Sequence, residues 1–169
     1  LEVGTAYFYA FNPSMGEWEQ FGPTLRSDED IASLGGEFGA AVAIGLSDLP
    51  RIVVGAPKSN LNNSLENGRV YTFEAIGIDW ETMEATPMFG KFPYDRFGSA
   101  VDMTKDGLRF IVGAPGREPS GAYFQIYEWN GSAWVLAFEE QGSSGDALGS
   151  SVAVLTDSGD VFAIGAPGY

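Results

Sequence analysis

Cysteine and histidine are both absent from the 169 residues, and only 9 are lysine or arginine against 23 aspartate or glutamate. Without cysteine there is no disulfide, no thiolate nucleophile and no cysteine-type structural zinc site. The redox compartment stays open, because a cysteine-free secreted domain of this size needs no staple. Without histidine there is no Ser-His-Asp or Cys-His nucleophile pair and no imidazole metal site, which removes most hydrolase designs. A formal net charge of −14 argues against nucleic acid, whose phosphates need lysine and arginine clusters, and against an anionic membrane surface. The acidity reads first as solubility and second as an attraction for divalent cations. No apolar run approaches the roughly 20 residues that cross a bilayer, so no membrane insertion is expected. The first residue is Leu1, without a methionine or a signal-like run, so any targeting segment is expected to have been removed or left out. Helix-period segments are nearly missing too. Ser27 to Leu34, with Asp28, Glu29 and Asp30 near its start, offers one helical turn at best and reads better as a solvated loop.

What is present is glycine, 23 residues, together with 14% aromatics and 9 prolines, a composition that suits many short strands joined by tight turns. The residues are arranged in tandem. Phe38-Gly39 leads to Gly55-Ala56-Pro57, Phe97-Gly98 to Gly113-Ala114-Pro115, and Leu148-Gly149 to Gly165-Ala166-Pro167. Self-similarity at roughly 50 to 60 residues marks units that must stack to bury their apolar faces.

Each unit predicts four strands. Strand A follows Phe/Leu-Gly (Ala41 to Ile44; Ala100 to Met103; Val152 to Leu155). Strand B is β-branched and buried on both sides (Ile52 to Val54; Phe110 to Val112; Val161 to Ile164). Gly-Ala-Pro ends it, because proline has no ladder donor and glycine allows close approach. Strand C is the aromatic run from Gly4, Gly68 or Gly121, and strand D opens near Trp18, Trp80 or Trp134 after a turn. Asn130-Gly131 is the strongest hairpin signal among those turns. Four-stranded antiparallel meanders in tandem predict the blades of a β-propeller. The spans are strands C and D in 1–37, whole blades in 38–96 and 97–147, and strands A and B in 148–169. Propellers close with 4 to 8 blades, so three repeats should leave Val42, Ile44, Met103 and Val154 facing water. The segment is then expected to be part of a longer chain, or copies are expected to complete the ring.

These paired motifs resemble the FG-GAP repeats of integrin α-subunit heads, and Trp18-Glu19-Gln20-Phe21-Gly22 looks more like a cysteine-poor variant of the family in secreted or surface proteins. The resemblance covers essentially the whole chain. It implies a propeller, usually of seven blades, extracellular or cell-surface placement, and adhesion or recognition. In such repeats the loop between strands A and B often holds calcium. The matching loops here are Gly45 to Pro50, Asp102 to Gly107 and Thr156 to Asp160, and none carries the full acidic pattern. Calcium takes six to eight oxygens, so an ordinary Asp-Gly or Ser-Gly hairpin turn is the expected reading, calcium the open alternative, and no cofactor or metal residue is assigned.

Catalysis is not expected. Glu139 with Glu140, or Asp28 with Asp30, would be the carboxylate pair of a glycosidase, but neighbours in sequence are normally solvated charges. The recurring aromatics are read as wedges between blades first and sugar platforms second. Asn62-Asn63-Ser64 and Asn130-Gly131-Ser132 are candidate glycosylation sites on exposed loops, with Asn130 equally explained as a turn residue. The expected function is a non-enzymatic module that meets protein or glycan partners through rim loops, above all Lys58 to Asn67 and Arg117 to Ser120. A scaffold whose blade faces pair with other copies or chains is the second reading, and a hydrolytic propeller the third.

Overall fold

A computed structural model describes residues 4–27, 36–60, 65–83, 88–116 and 121–168. The chain is all-β, with antiparallel sheets and no helix among the described residues. All of the possible helical turn except Ser27 lies outside them.

The first sheet region holds β1 (Thr5–Ala6), β2 (Tyr9–Asn12), β3 (Glu17–Gln20) and β4 (Leu25–Arg26), with β1 on β4 and β2 on β3. The second runs in order through β5 (Ala41–Gly45), β6 (Arg51–Ala56), β7 (Arg69–Ile76) and β8 (Asp79–Thr82), and β9 (Met88–Phe89) rejoins β7. The third is the unbroken meander β10 (Ala100–Met103), β11 (Arg109–Ala114), β12 (Tyr123–Trp129) and β13 (Trp134–Gln141). The last is the pair β14 (Ser151–Val154) and β15 (Phe162–Gly165). All three tryptophans that mark strand D lie on strands, and the expected strands C and D of the first region and D of the second are each split in two.

β6 and β11 are buried along nearly their whole length, and Ile52, Val53, Val54, Ile111 and Val112 are fully excluded from water. β-Branched side chains suit a strand covered on both faces. Two cores lie between consecutive sheets. Ala6, Phe8 and Leu25 of the first meet Phe38, Ile52, Val54, Tyr71 and Phe73 of the second. Ala43, Val53 and Val70 of the second meet Phe97, Met103, Phe110, Val112 and Tyr123 of the third. Strand β10 lies between β5 and β14, so the first strands of successive units run side by side.

Two expectations are corrected here. Met103 does not face water: it is 5% exposed, because β10 turns it onto Ala43 and Phe110 between the second and third sheets. Val42 and Ile44, at 42% and 40%, are exposed as expected, and Val154 is half-buried. Gly121 is also not the counterpart of Gly68. Gly90 N–H donates to Gly68 O and Gly142 N–H donates to Ala122 O, while Ala56 pairs with Arg69 and Ala114 with Tyr123. Ala122 therefore takes Gly68's place. A one-residue slip of this kind exchanges the two faces of a strand, so Tyr123, Gln125 and Tyr127 correspond to Arg69, Tyr71 and Phe73.

Candidate functional site

In an antiparallel meander the start of strand A, the end of B, the start of C and the end of D share one edge. The Phe/Leu-Gly turns, the Gly-Ala-Pro ends and the described ends of the connection 58–67 therefore gather on one side. The turn is built three times alike. Ala40 N–H donates to Glu37 O at 3.0 Å, Ser99 N–H to Arg96 O at 3.1 Å and Ser150 N–H to Ala147 O at 3.2 Å. Gly39, Gly98 and Gly149 hold φ of 92°, 90° and 86°, the left-handed third position of a type II turn, which glycine occupies without a Cβ clash. Each of these glycines donates its N–H across the unit to the Gly-Ala-Pro glycine carbonyl, 3.0 Å in all three cases. The residue after each proline then returns its own N–H to the segment before the turn: Lys58 to Gly36, Gly116 to Asp95, Gly168 to Asp146.

The connection 58–67 is tied down where it is described. Ser59 and Asn67 are buried, Glu66 N–H donates to Asn60 Oδ1 at 2.7 Å, and Asn67 Nδ2 donates to Gly90 O at 3.1 Å. Its far end is bonded to the segment leading into the third sheet, with Tyr94 N–H donating to Leu65 O and Arg96 N–H to Glu66 O. The Arg96 guanidinium closes on Glu66 at 2.9 Å. Leu65, Phe92 and Tyr94, on the same two segments as this ion pair, are exposed. Beside it, a groove of about 410 Å³ runs between the third sheet and β14, lined by Arg96, Ser99, Pro115, Gly121, Ala147 and Ser150 among others. The Ser99 and Ser150 hydroxyls both donate into their own turns, at 2.7 Å, and so offer acceptor lone pairs to anything lying in the groove.

A polar network under this edge ties the third sheet to the connection 90–97 that leads into it. Tyr123 Oη donates to buried Asp95 Oδ2 at 3.0 Å and accepts from Lys91 N–H at 3.2 Å. Burial first, and the Asp95 charge second, drive the Tyr123 phenol far above its ordinary value. Tyr127 donates to Gln125 Oε1 at 2.8 Å, and Gln125 Nε2 donates to Glu139 at 2.6 Å. Burial and the neighbouring Glu139 push Tyr127 up to about 12. Burial works to raise Glu139, but hydrogen bonds from Lys91 and Gln125 and the Lys91 charge outweigh it and hold the carboxyl below its ordinary value.

The other residues singled out by sequence are scattered. Asn62 and Arg117 to Ser120 lie outside the described residues. Asn130 stands exposed in the β12–β13 hairpin, on the opposite edge, where its Oδ1 accepts from Ser132 N–H, Ser132 Oγ and Ala133 N–H. Asp102 accepts from Met103 N–H at 2.9 Å and, across to the last pair of strands, from Val154 N–H at 2.7 Å. Asp106 Oδ1 accepts from Thr104 Oγ1 and Leu108 N–H. The two Asp106 bonds are those of an Asx turn within the loop. Among the described residues no three acidic groups converge to hold a metal ion. Glu139 and Glu140 are successive on β13 and point to opposite faces, while Asp28 and Asp30 lie outside the described residues. Trp80 wedges against Phe8 and Phe21, and Trp134 against Phe110 and Trp129, whereas Trp18 is 69% exposed and touches Phe11.

Sequence reading missed one recurring pair. Arg51 meets Glu74 at 2.8 Å across β6–β7 and donates to Gly107 O of the next unit at 3.2 Å. Arg109 repeats this with Glu128 at 2.7 Å across β11–β12 and with Ser158 O at 2.8 Å. The signal was an arginine at a fixed distance before Gly-Ala-Pro in two of the three copies. Comparison with protein-family models finds no match for the chain, and comparison with curated proteins finds no relative.

Proposed function

We propose that the chain is a non-enzymatic recognition module of an FG-GAP-type β-propeller, placed outside the cell or on its surface, which contacts protein or glycan partners through the edge carrying the Phe/Leu-Gly turns. The observation that carries this reading is the threefold recurrence of one device. In all three units a type II turn bonds the Gly-Ala-Pro glycine of its own unit, and at Gly55 and Gly113 the next unit's turn also rests on that glycine's Cα. A framework so repeated leaves chemistry to the connections between strands, and there the exposed apolar side chains Leu65, Phe92 and Tyr94 stand on the same connections as the Arg96–Glu66 ion pair, whose Arg96 lines the groove. Tyrosine and arginine supply rigid contact area and directed hydrogen bonds, the usual means of a paratope-like surface. Asn62 and Asn130 are the glycan acceptor sites this placement implies.

The test uses a glycan array and a panel of extracellular-matrix proteins, probed with the wild-type chain and a Leu65→Ser/Tyr94→Ser variant. Both side chains are exposed, so the melting temperature should hold while binding falls by about tenfold or more. A wild type that binds neither panel, or a variant that binds as well as the wild type, sinks the reading.

A further inference from the structure

Glycine directly follows an amide or acid side chain three times, at Asn67-Gly68, Asp106-Gly107 and Asn130-Gly131. With no side chain on the following residue, its backbone nitrogen is unshielded and can attack the side-chain carbonyl one residue back. The fold treats the three pairs differently. Gly68 N–H donates to Ser59 O at 3.0 Å and Gly107 N–H to Thr104 O at 2.9 Å, so both nitrogens are held. Asn67 is also only 1% exposed, with its Nδ2 on Gly90 O. Gly131 N–H has no hydrogen-bond partner among the described residues. Gly131 holds φ of 99°, with open space where a Cβ would stand, and both it and Asn130 are exposed.

The carbonyl under attack is prepared as well. Asn130 Oδ1 accepts from Ser132 N–H at 2.9 Å, Ser132 Oγ at 3.0 Å and Ala133 N–H at 2.9 Å. The two backbone groups can only donate, which turns the oxygen of the amide toward them and not its nitrogen. Three donors on one carbonyl oxygen draw electrons from Cγ, and they stand where negative charge collects when a nucleophile adds, the arrangement of an oxyanion hole. Nδ2, the group that must leave, has no hydrogen-bond partner among the described residues. Asn12 wears a similar collar, from Ser14 N–H at 3.0 Å and Met15 N–H at 3.3 Å, but Pro13 follows it and has no N–H to give up.

We propose that Asn130 is a self-modification site, at which the Gly131 nitrogen displaces ammonia from Asn130 Cγ and Ser132 acts as the positioning residue that supplies the side-chain donor. Solvent hydroxide takes the Gly131 N–H proton and becomes water. The nitrogen then bonds to Cγ, and the electron pair of the carbonyl moves onto Oδ1 under its three donors. As that pair returns, the Cγ–Nδ2 bond breaks, and Nδ2 takes a proton from water and leaves as ammonia. One water molecule opens the resulting succinimide, at Cγ to give aspartate or at the backbone carbonyl to give isoaspartate. The aspartate product keeps an oxygen for the same donors. The isoaspartate product runs the backbone through Cβ and Cγ and lengthens the β12–β13 turn beside the Trp129–Trp134 ring pair. The site lies on the edge opposite the proposed recognition surface, and the inference does not rest on that reading.

The test uses the chain made without glycans, since a sugar on Nδ2 blocks the leaving group. It is incubated folded in mildly alkaline buffer and mapped by mass spectrometry for aspartate and isoaspartate. Asn130 should convert about tenfold or more faster than Asn67, which reacts only when its surroundings open. In urea the two rates should converge, because the difference belongs to the fold. Ser132→Ala should slow conversion at Asn130 by about threefold or more, and Ser132→Thr, which keeps the hydroxyl, should restore it. Ser132 is exposed, so the fold tolerates both. Equal rates at Asn67 and Asn130 in the folded chain, or a gap that persists in urea, overturn the assignment. So does a Ser132→Ala variant that converts as fast as the wild type or faster, the sign expected if the three bonds only hold the amide still.

Discussion

Arg51 and Arg109 do the same work in consecutive units, yet water reaches them differently, and that decides what each is worth. The Arg51–Glu74 side chains are 10% and 22% exposed, the Arg109–Glu128 side chains 33% and 47%. Arg51 also lies 5.0 Å from the Trp129 ring centre of the next unit. Removing one member of a mostly buried pair strands the other charge, which costs several kcal/mol, whereas exposed pairs are worth about 0–1 kcal/mol. Arg51→Ala is therefore expected to lower the free energy of unfolding by about 2–4 kcal/mol, and Arg109→Ala by about 1 kcal/mol or less. Paired urea melts check both, and equal losses would show that burial does not rank these two pairs.

At the scale of elements, the turn and the strand end are one device. A Cβ on Gly113 would overlap the carbonyl oxygen of Gly149, and one on Gly55 the carbonyl oxygen of Gly98, with backbone on the other side that cannot step aside. Gly113→Ala is expected to cost more than about 3 kcal/mol or to prevent folding, because overpacking against backbone finds no relief. Gly77→Ala, with φ of 67° in open space, should cost only about 1–2 kcal/mol, the penalty of a left-handed alanine. Circular dichroism melts of the two variants make the comparison, and similar melting points would refute it. Much of this was legible in sequence. Strand type followed from β-branched runs such as Ile52-Val53-Val54, and punctuation from glycine and proline. Register was not legible. Gly121 looks like Gly68 in the chain, but the pairing of Ala114 with Tyr123 is settled by hydrogen bonds that local pattern does not encode. The burial of Met103 depends likewise on which sheet lies next to β10, a long-range fact. The surface at Leu65, Phe92 and Tyr94 was half visible: the connection 58–67 was expected at the rim, but its bonding to the segment 90–97 joins residues far apart in sequence.

For the whole molecule, cohesion comes from the layers between consecutive sheets, and the second layer carries its own alkaline limit. Tyr127 has its folded pKa raised to about 12 from about 10 when unfolded. The folded state therefore keeps a proton that the unfolded chain releases. Its contribution is fully present below about pH 10 and is lost as pH rises toward 12. Tyr123 shifts the same way. Glu139 has the opposite sign: its depressed pKa adds stability above the unfolded carboxyl value of about 4.3, lost as pH falls through the folded value. Melts from pH 9 to 12 should thus show a steep loss that Tyr127→Phe makes shallower, and an unchanged slope would mean that this phenol does not set the limit. The sealing of the first two Gly-Ala-Pro ends by the turn of the following unit has a longer reach. A stack joined at such identical seams can gain or lose members only whole, so a lineage of these chains would change length by duplicating or dropping entire repeats, while single-residue insertions would be confined to the outer strands and their connections.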